Sequence, residues 1–262
     1  MSARPPLRIL QITDVHLRAA EGDTLLGVDT LHSVTAVLSQ ALAEHRPDAL
    51  LVTGDVAQDP VPDLYARFYG WLQAQYPGPT LVTPGNHDIA GNMGALLECQ
   101  ALELPGWTIL PLDSHVDDEP QALVSDADFA VLRQACDKSA NTNLLVVTHH
   151  PPVDIDCPWL DRDRIQNGHE LLEWMAGHGR IRALVFGHAH QELNLTHRQL
   201  KLFGTPSTCI QFEPRSSRFS VDEQKPGYRW LLLDDDGSIR SEVRRVEDYP
   251  LKIDRSAFKP KS

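Results

Sequence analysis

The feature that most constrains this chain is a recurring unit: a short apolar run of strand length, followed at once by residues that bind metal ions. Strand candidates of this kind are Arg8–Thr13, Ala49–Thr53, Thr80–Thr83, Thr108–Leu112, Asn143–Thr148 and Ala183–Phe186. Helical patterns alternate with them. Leu31, Val34, Leu38, Ala41 and Leu42 share one face of a helix. Asp63 is placed to cap a second helix, with Leu64, Phe68, Trp71 and Leu72 inward. A third helix starts at Ser125, with Asp128 three residues on and Phe129 and Leu132 inward; a fourth covers roughly Ile165 to Met175 and stops at Gly177. Beyond Gly187 the pattern becomes strand-rich, with Leu200–Phe203, Tyr228–Leu233 and Ile239–Val246, the last two joined by a turn through Asp234, Asp235, Asp236 and Gly237. The reading is one domain over residues 1–262, a layered α/β sandwich whose loops gather at the C-terminal strand ends. Residues 247–262 are polar and Pro-punctuated, and are expected to form a surface tail.

Five strand ends carry the chemistry. After the first come Asp14 and His16, two residues apart; alternate residues leaving an extended segment point the same way, so the pair can grip one ion. Gly54-Asp55 follows the second, where glycine allows a sharp turn and the two oxygens of a carboxylate can bridge two ions. Gly85-Asn86-His87-Asp88 follows the third, offering an amide oxygen to a metal and, in the adjacent histidine, a group able to transfer protons. His149-His150-Pro151-Pro152 makes a rigid exit from another strand, and Gly187-His188-Ala189-His190 sets two histidines on one side of an extended backbone. Each motif alone is compatible with a turn, a helix cap or a pair of loop histidines. Six of the 12 histidines fall inside these motifs, always behind an apolar strand, and that coincidence favours one shared site.

Composition bounds the alternatives. The content of 42% hydrophobic and 23% charged residues is that of an ordinary globular protein, and no apolar run is long enough to span a bilayer. The first apolar stretch, Leu7 to Ile12, is too short and too interrupted for a signal peptide, so a cytoplasmic location is expected. Cys99, Cys136, Cys157 and Cys209 are too scattered for a thiolate site and are read as reduced, mostly structural thiols. A net charge of −12 argues against a nucleic-acid partner, while a small anion remains compatible if bound metal reverses the local sign.

In this order, the five motifs resemble the signature of the calcineurin-like metallophosphoesterases, over roughly residues 8 to 246. Gly54 to Asp59, Thr205 to Phe212 and Pro226 to Arg229 resemble, more narrowly, the bacterial class III cyclic-nucleotide phosphodiesterases. The resemblance implies an αββα sandwich and two divalent or mixed-valence first-row metal ions, iron and/or manganese. It implies that Asp14, His16, Asp55 and His190 hold one ion, and that Asp55, Asn86, His149 and His188 hold the other. Hydroxide activated between the ions would hydrolyse 3′,5′-cyclic AMP to 5′-AMP and lower cyclic-AMP signalling. Asp55, Asn86 and His87 would be the catalytic residues, His87 as general acid. His16, Asp55, Asn86, His87 and His190 would meet the substrate. The expected partner is a small cyclic nucleotide, with the chain a monomer or homodimer. The alternatives are a broad phosphodiesterase or phosphomonoesterase on the same ions, and a non-catalytic nucleotide-binding module. His150 is left open between supporting a ligand, touching substrate and a structural role.

Overall fold

In the computed structural model, residues 4–20, 22–98, 101–116, 119–138 and 142–258 are described. The elements in chain order are β1 (Leu7–Ile12), α1 (Thr30–Glu44), β2 (Ala49–Thr53), α2 (Pro62–Gln75), β3 (Thr80–Thr83), α3 (Ala90–Met93), β4 (Leu102–Leu104), β5 (Trp107–Pro111), α4 (Asp126–Lys138), β6 (Asn143–Val147), α5 (Gly168–Ala176), β7 (Ile181–Phe186), β8 (Leu193–His197), β9 (Leu200–Gly204), β10 (Gln211–Phe212), β11 (Val221–Asp222), β12 (Gly227–Leu233) and β13 (Ile239–Arg245). One sheet runs β13-β12-β1-β2-β3 and the other β4-β5-β6-β7-β9-β8. In the first, β1, β2 and β3 are parallel; in the second, β5, β6, β7 and β9 are.

The sheets stack face to face. Ile9, Leu51 and Leu81 of the first meet Trp107, Leu145, Val147 and Val185 of the second in a core that water does not reach. The outer face of the first sheet is covered by α1 and α2 through Val34, Leu38, Leu64 and Phe68; α4 and α5 cover the second through Phe129, Leu132, Leu171 and Met175. The layers are therefore helix, sheet, sheet, helix, as expected. Near-continuous apolar strands follow from this, because a central strand is buried on both faces.

Several local expectations are corrected. Asp63 does not cap α2: Val61 is the cap residue, Pro62 opens the helix, and Asp63 sits in the first turn pairing with Arg67 at 3.1 Å. Leu31 is 47% exposed, and Ser33 and Val37 take its place on the buried face of α1. The fourth helix begins at Gly168 instead of near Ile165, which forms a bridge with Ala122. By contrast, the start at Ser125 is a reciprocal capping box: Asp128 N–H donates to Ser125 Oγ at 3.2 Å, and Ser125 N–H to Asp128 Oδ2 at 3.1 Å. Residues 248–256 run over the surface but are docked to it. Tyr249 is 6% exposed, and Asp254 N–H donates to the Leu26 carbonyl at 2.8 Å. Cys136, Cys157 and Cys209 are buried free thiols; Cys99 lies outside the described residues.

Candidate metal centre

The parallel pairing of β1 and β2 continues beyond the sheet as a ladder between their loops. Asp14 N–H donates to Gly54 O (3.1 Å), His16 N–H to Asp55 O (2.9 Å), Leu17 N–H to Val56 O (2.9 Å) and Gln58 N–H to Leu17 O (2.8 Å). Asp88 ties in the loop after β3. Its buried carboxylate accepts from the backbone N–H groups of Val56, Ala57 and Gly85 at 3.0–3.1 Å and from the Tyr65 hydroxyl at 2.9 Å. The loops of the second sheet join across the sandwich, where His188 N–H donates to both oxygens of Asp14 at 3.1 Å. Glycine is required where these loops pass: a Cβ on Gly54 would lie 2.2 Å from His149 Nδ1, and one on Gly187 would meet Thr13 Oγ1 and the Thr53 carbonyl.

Seven side chains then form an unbroken chain of contacts. Asp14 Oδ1 lies 3.4 Å from His190 Nε2, which lies 3.1 Å from His16 Nε2. His16 Nε2 is 3.5 Å from Asp55 Oδ2, and the same oxygen is 3.5 Å from His149 Nε2. His149 Nε2 is 3.2 Å from Asn86 Oδ1, which is 2.9 Å from His188 Nδ1. Asp55 is the midpoint. All seven residues that the motifs nominated are brought together, drawn from both sheets.

The backbone that achieves this is not extended. Asp14, His16, Asp55, His188 and His190 all have left-handed φ values between 49° and 60°. Residues two apart do meet in one site, yet through left-handed turns and not through strand alternation. Such φ values are uncommon for residues other than glycine and cluster where surrounding structure enforces them. Asp55 Oδ1 accepts from His87 N–H at 2.9 Å, so a single oxygen, Oδ2, faces both halves of the cage.

The protonation pattern tests whether the cage fits cations. The Nδ1 atoms of His16, His190 and His149 face oxygen acceptors: Gln58 Oε1 at 3.0 Å, the Ile210 carbonyl at 2.8 Å and the Thr53 carbonyl at 2.8 Å. An oxygen acceptor requires an N–H, so in the neutral rings the proton sits on Nδ1 and a lone pair is left on Nε2. Those lone pairs point at one another or at carboxylate oxygens, an arrangement that repels itself unless a cation lies among them. Burial, ahead of any neighbour, pushes the His16 and His188 imidazoles down to about 3, leaving both neutral. His149 goes the other way, to about 9: burial opposes it most strongly, but the charge and hydrogen bond of Asp55, the Asp14 charge and the Thr53 carbonyl together outweigh burial, and a bound cation would compete for that lone pair with the proton. Imidazole nitrogens with carboxylate and amide oxygens suit first-row ions such as iron and manganese, and the residues present fit a pair of them sharing Asp55.

Exposure divides the site. His16, Asp55 and His190 are buried, Asn86 is half-buried, and His87 stands exposed at the rim, its ring edge-on to His16 at 4.9 Å. His150 is 0% exposed, with Nδ1 at 2.9 Å from Ser114 Oγ, and its ring lies close enough to His149 and His188 for the three to hold one ion. Thr205 to Phe212 and Pro226 to Arg229 prove to be supports. Ser207 Oγ donates to the Asp14 carbonyl at 2.8 Å, Thr208 N–H to Thr13 O at 3.0 Å, and Arg229 Nε to Thr205 Oγ1 at 3.0 Å. Phe212 stacks on the His190 ring at 4.0 Å. Sequence reasoning gave no role to Gln58, Asp88 or the carbonyls of Thr53 and Ile210. The first two are polar residues beside motif positions and were open to suspicion; backbone carbonyls carry no sequence signal at all.

An αββα sandwich with such a cage at its loop end is the architecture of a dinuclear-metal hydrolase. The chain belongs to the calcineurin-like phosphoesterase family, whose profile matches residues 7–192. It is 38% identical over 252 residues to the 3′,5′-cyclic adenosine monophosphate phosphodiesterase CpdA of Pseudomonas aeruginosa, covering 94% of this chain and 92% of that one. It is 36% identical over 259 residues to the protein of the same name from Escherichia coli K12, covering 96% and 94%. A 3′,5′-cyclic-nucleotide phosphodiesterase of a Nostoc species is 33% identical over 262 residues, covering 97% of each. Among solved structures, a dimetal phosphatase from Danio rerio shares the fold with a TM-score of 0.61 at 13% identity, covering 93% of this chain and 100% of that one. A purple acid phosphatase from Lupinus luteus does so with a TM-score of 0.65 at 11% identity, covering 94% and 52%. Among the described residues no helix is long and apolar enough to cross a membrane.

Proposed function

We propose that this chain hydrolyses 3′,5′-cyclic AMP to 5′-AMP and thereby lowers cytoplasmic cyclic-AMP signalling, as a monomer or homodimer. The observation that carries this reading is an intact seven-residue cage in a chain similar along nearly its whole length to proteins named cyclic-AMP phosphodiesterases. One cation would be held by Asp14, His16, Asp55 and His190, and the second by Asp55, Asn86, His149 and His188, with iron and/or manganese the fitting ions. When bound, such a pair lowers the pKa of water to supply a nucleophile near neutral pH and offsets negative charge on the phosphoryl oxygens.

The rest is the work of this chain's own groups. Asn86, half-buried between the cage and solvent, orients a phosphate at the mouth. His87 is fixed by its backbone N–H on Asp55 Oδ1 and stands at the rim, where it protonates the departing 3′ oxygen as the phosphorus–oxygen bond breaks. The product is then the 5′-monophosphate.

The test combines metal analysis of the purified protein with turnover of cyclic AMP, cyclic GMP, 2′,3′-cyclic AMP, an aryl phosphodiester and a phosphomonoester. Preference for cyclic AMP supports the reading, and a strong preference for the monoester overturns it. His87→Ala is expected to retain its metal and lose roughly 10²–10⁴-fold in turnover of cyclic AMP; full activity in that variant removes His87 from the mechanism.

A further inference from the structure

Between the start of β8 and the end of β13, beside the cage, lies a cavity of about 290 Å³. His190 belongs to both: it is a member of the cage, and it lines the cavity together with Gln191, Asn194, Gln211 and Phe212. Two amides in that wall are incompletely satisfied. Gln191 is 5% exposed and its Nε2 has no hydrogen-bond partner; Gln211 is 1% exposed and its Oε1 has none. Gln211 Nε2 donates to the Ser207 carbonyl at 2.8 Å, which fixes this amide with its oxygen as the group left over. Buried polar atoms are nearly always paired, because an unpaired one forfeits its hydration and gains nothing. Here an unused donor and an unused acceptor stand in the wall of one cavity.

We propose that this cavity is the base subsite of the cyclic nucleotide, and that Gln211 and Gln191 select adenine in it. The inference rests on the cyclic-AMP reading above. The edge of adenine sets an amino donor beside a ring-nitrogen acceptor. Gln211 Oε1 accepts from the amino group, and Gln191 Nε2 donates to the ring nitrogen. Guanine and hypoxanthine carry an oxo acceptor in place of the amino group, and it would face the Gln211 oxygen with no proton between them. Gln211 cannot turn its amide to suit them without giving up the Ser207 carbonyl. Ser207 in turn donates through Oγ to the Asp14 carbonyl, so the base wall is held in register with the cage. Phe212, stacked on the His190 ring at 4.0 Å, adds apolar surface to the same wall. Because His190 is shared, a phosphate at the cage and a base in the cavity are separated by about one ring, a gap that a ribose spans.

The test compares nucleotides that differ only in the base. Cyclic AMP and cyclic IMP share phosphate and ribose, but the second has an oxo group where the first has its amino group. Manganese-loaded wild type is expected to favour cyclic AMP by about tenfold to a hundredfold in kcat/KM, and Gln211→Leu to bring that ratio close to one. Independently of turnover, calorimetric titration should show 5′-AMP binding wild type about tenfold or more tightly than ribose 5-phosphate. Gln191→Met and Gln211→Leu should each narrow that gap. Ratios within one variant carry the result, because general damage to the neighbouring cage weakens both members of each pair alike. Gln191→Met keeps the length of the side chain and carries the test with wild type if Gln211→Leu does not fold. Equal handling of cyclic AMP and cyclic IMP by wild type, or variants that keep the wild-type ratios, overturns the inference. The cyclic-AMP reading fails separately. It falls if wild type prefers a phosphomonoester to either cyclic nucleotide, whereas cyclic-AMP turnover that is blind to the base sinks the base subsite alone.

Discussion

At the scale of single residues, the centre is built from conformations that a chain avoids elsewhere. Five cage residues hold left-handed φ, each at a cost of order 1–3 kcal/mol that packing around it must offset. Gly54 shows how little slack remains, with φ of 87° and no room for a Cβ beside His149. Gly54→Ala should therefore displace His149, deplete bound metal and lower turnover by on the order of 10²-fold, as a misplacement of about 1 Å does. Elemental analysis with steady-state kinetics checks this; retention of full metal content would show that the loop relaxes around the methyl group. The residue types of the cage were legible in the sequence because ligand chemistry selects Asp, Asn and His. The left-handed turns were not, since nothing in an Asp-Val-His triplet distinguishes a turn from an extended exit.

At the scale of elements, helix ends were legible where local chemistry decides them and illegible where packing does. The Ser125–Asp128 capping box is local and was read correctly. The Asp63 cap was not, because Pro62 occupies the first helical position and leaves the cap to Val61. Ser125→Ala is expected to lower folding stability by about 1 kcal/mol while leaving kcat untouched, measurable by urea denaturation beside a kinetic assay. Gly70 gives the opposite sign. It sits in the body of α2 with nothing within 4 Å of an added Cβ, so Gly70→Ala should raise stability by roughly 0.5–1 kcal/mol. A lower urea midpoint for Gly70→Ala would contradict the helix assignment there. Strands β4 and β8 escaped the sequence reading because they are edge strands, one of three residues and the other alternating in burial, with no continuous apolar run.

At the scale of the whole molecule, two sheets must stay in register for the cage to exist, since its members come from both. Buried polar struts hold that register. Arg229 is 1% exposed and reaches Thr205 Oγ1, the Gly204 carbonyl at 2.7 Å, Asn194 Oδ1 at 3.0 Å and the Ser241 hydroxyl, while Gln11 donates across the sandwich to the Phe186 carbonyl at 3.2 Å. Arg229→Met strands several buried acceptors and is expected to cost on the order of 2–4 kcal/mol, seen as a lower thermal midpoint. Metal acts at the same scale. Bare imidazole lone pairs and carboxylates crowd one another in the cage, so chelation should lower the thermal midpoint as well as activity, and manganese should restore both. At a free ion concentration of a thousand times Kd the gain is about 4 kcal/mol. An unchanged midpoint after verified metal removal would show that the cage is rigid without its ions.

The amino-acid sequence by itself determined the alternation of strands and helices and the ligand-type residues at the strand ends, because burial and ligand chemistry restrict residue type at each position; the layer order and the set of seven cage residues came from the resemblance of those motifs to a known family. Only the tertiary structure decided how those residues meet: by left-handed turns, with one Asp55 oxygen facing both halves of the cage, and with Gln58 Oε1 and the Thr53 and Ile210 carbonyls each facing an Nδ1 of a cage histidine. The reason is physical. Residue type limits what a side chain can do, whereas the direction of a lone pair depends on neighbours remote in the chain, and backbone carbonyls are the same in every residue.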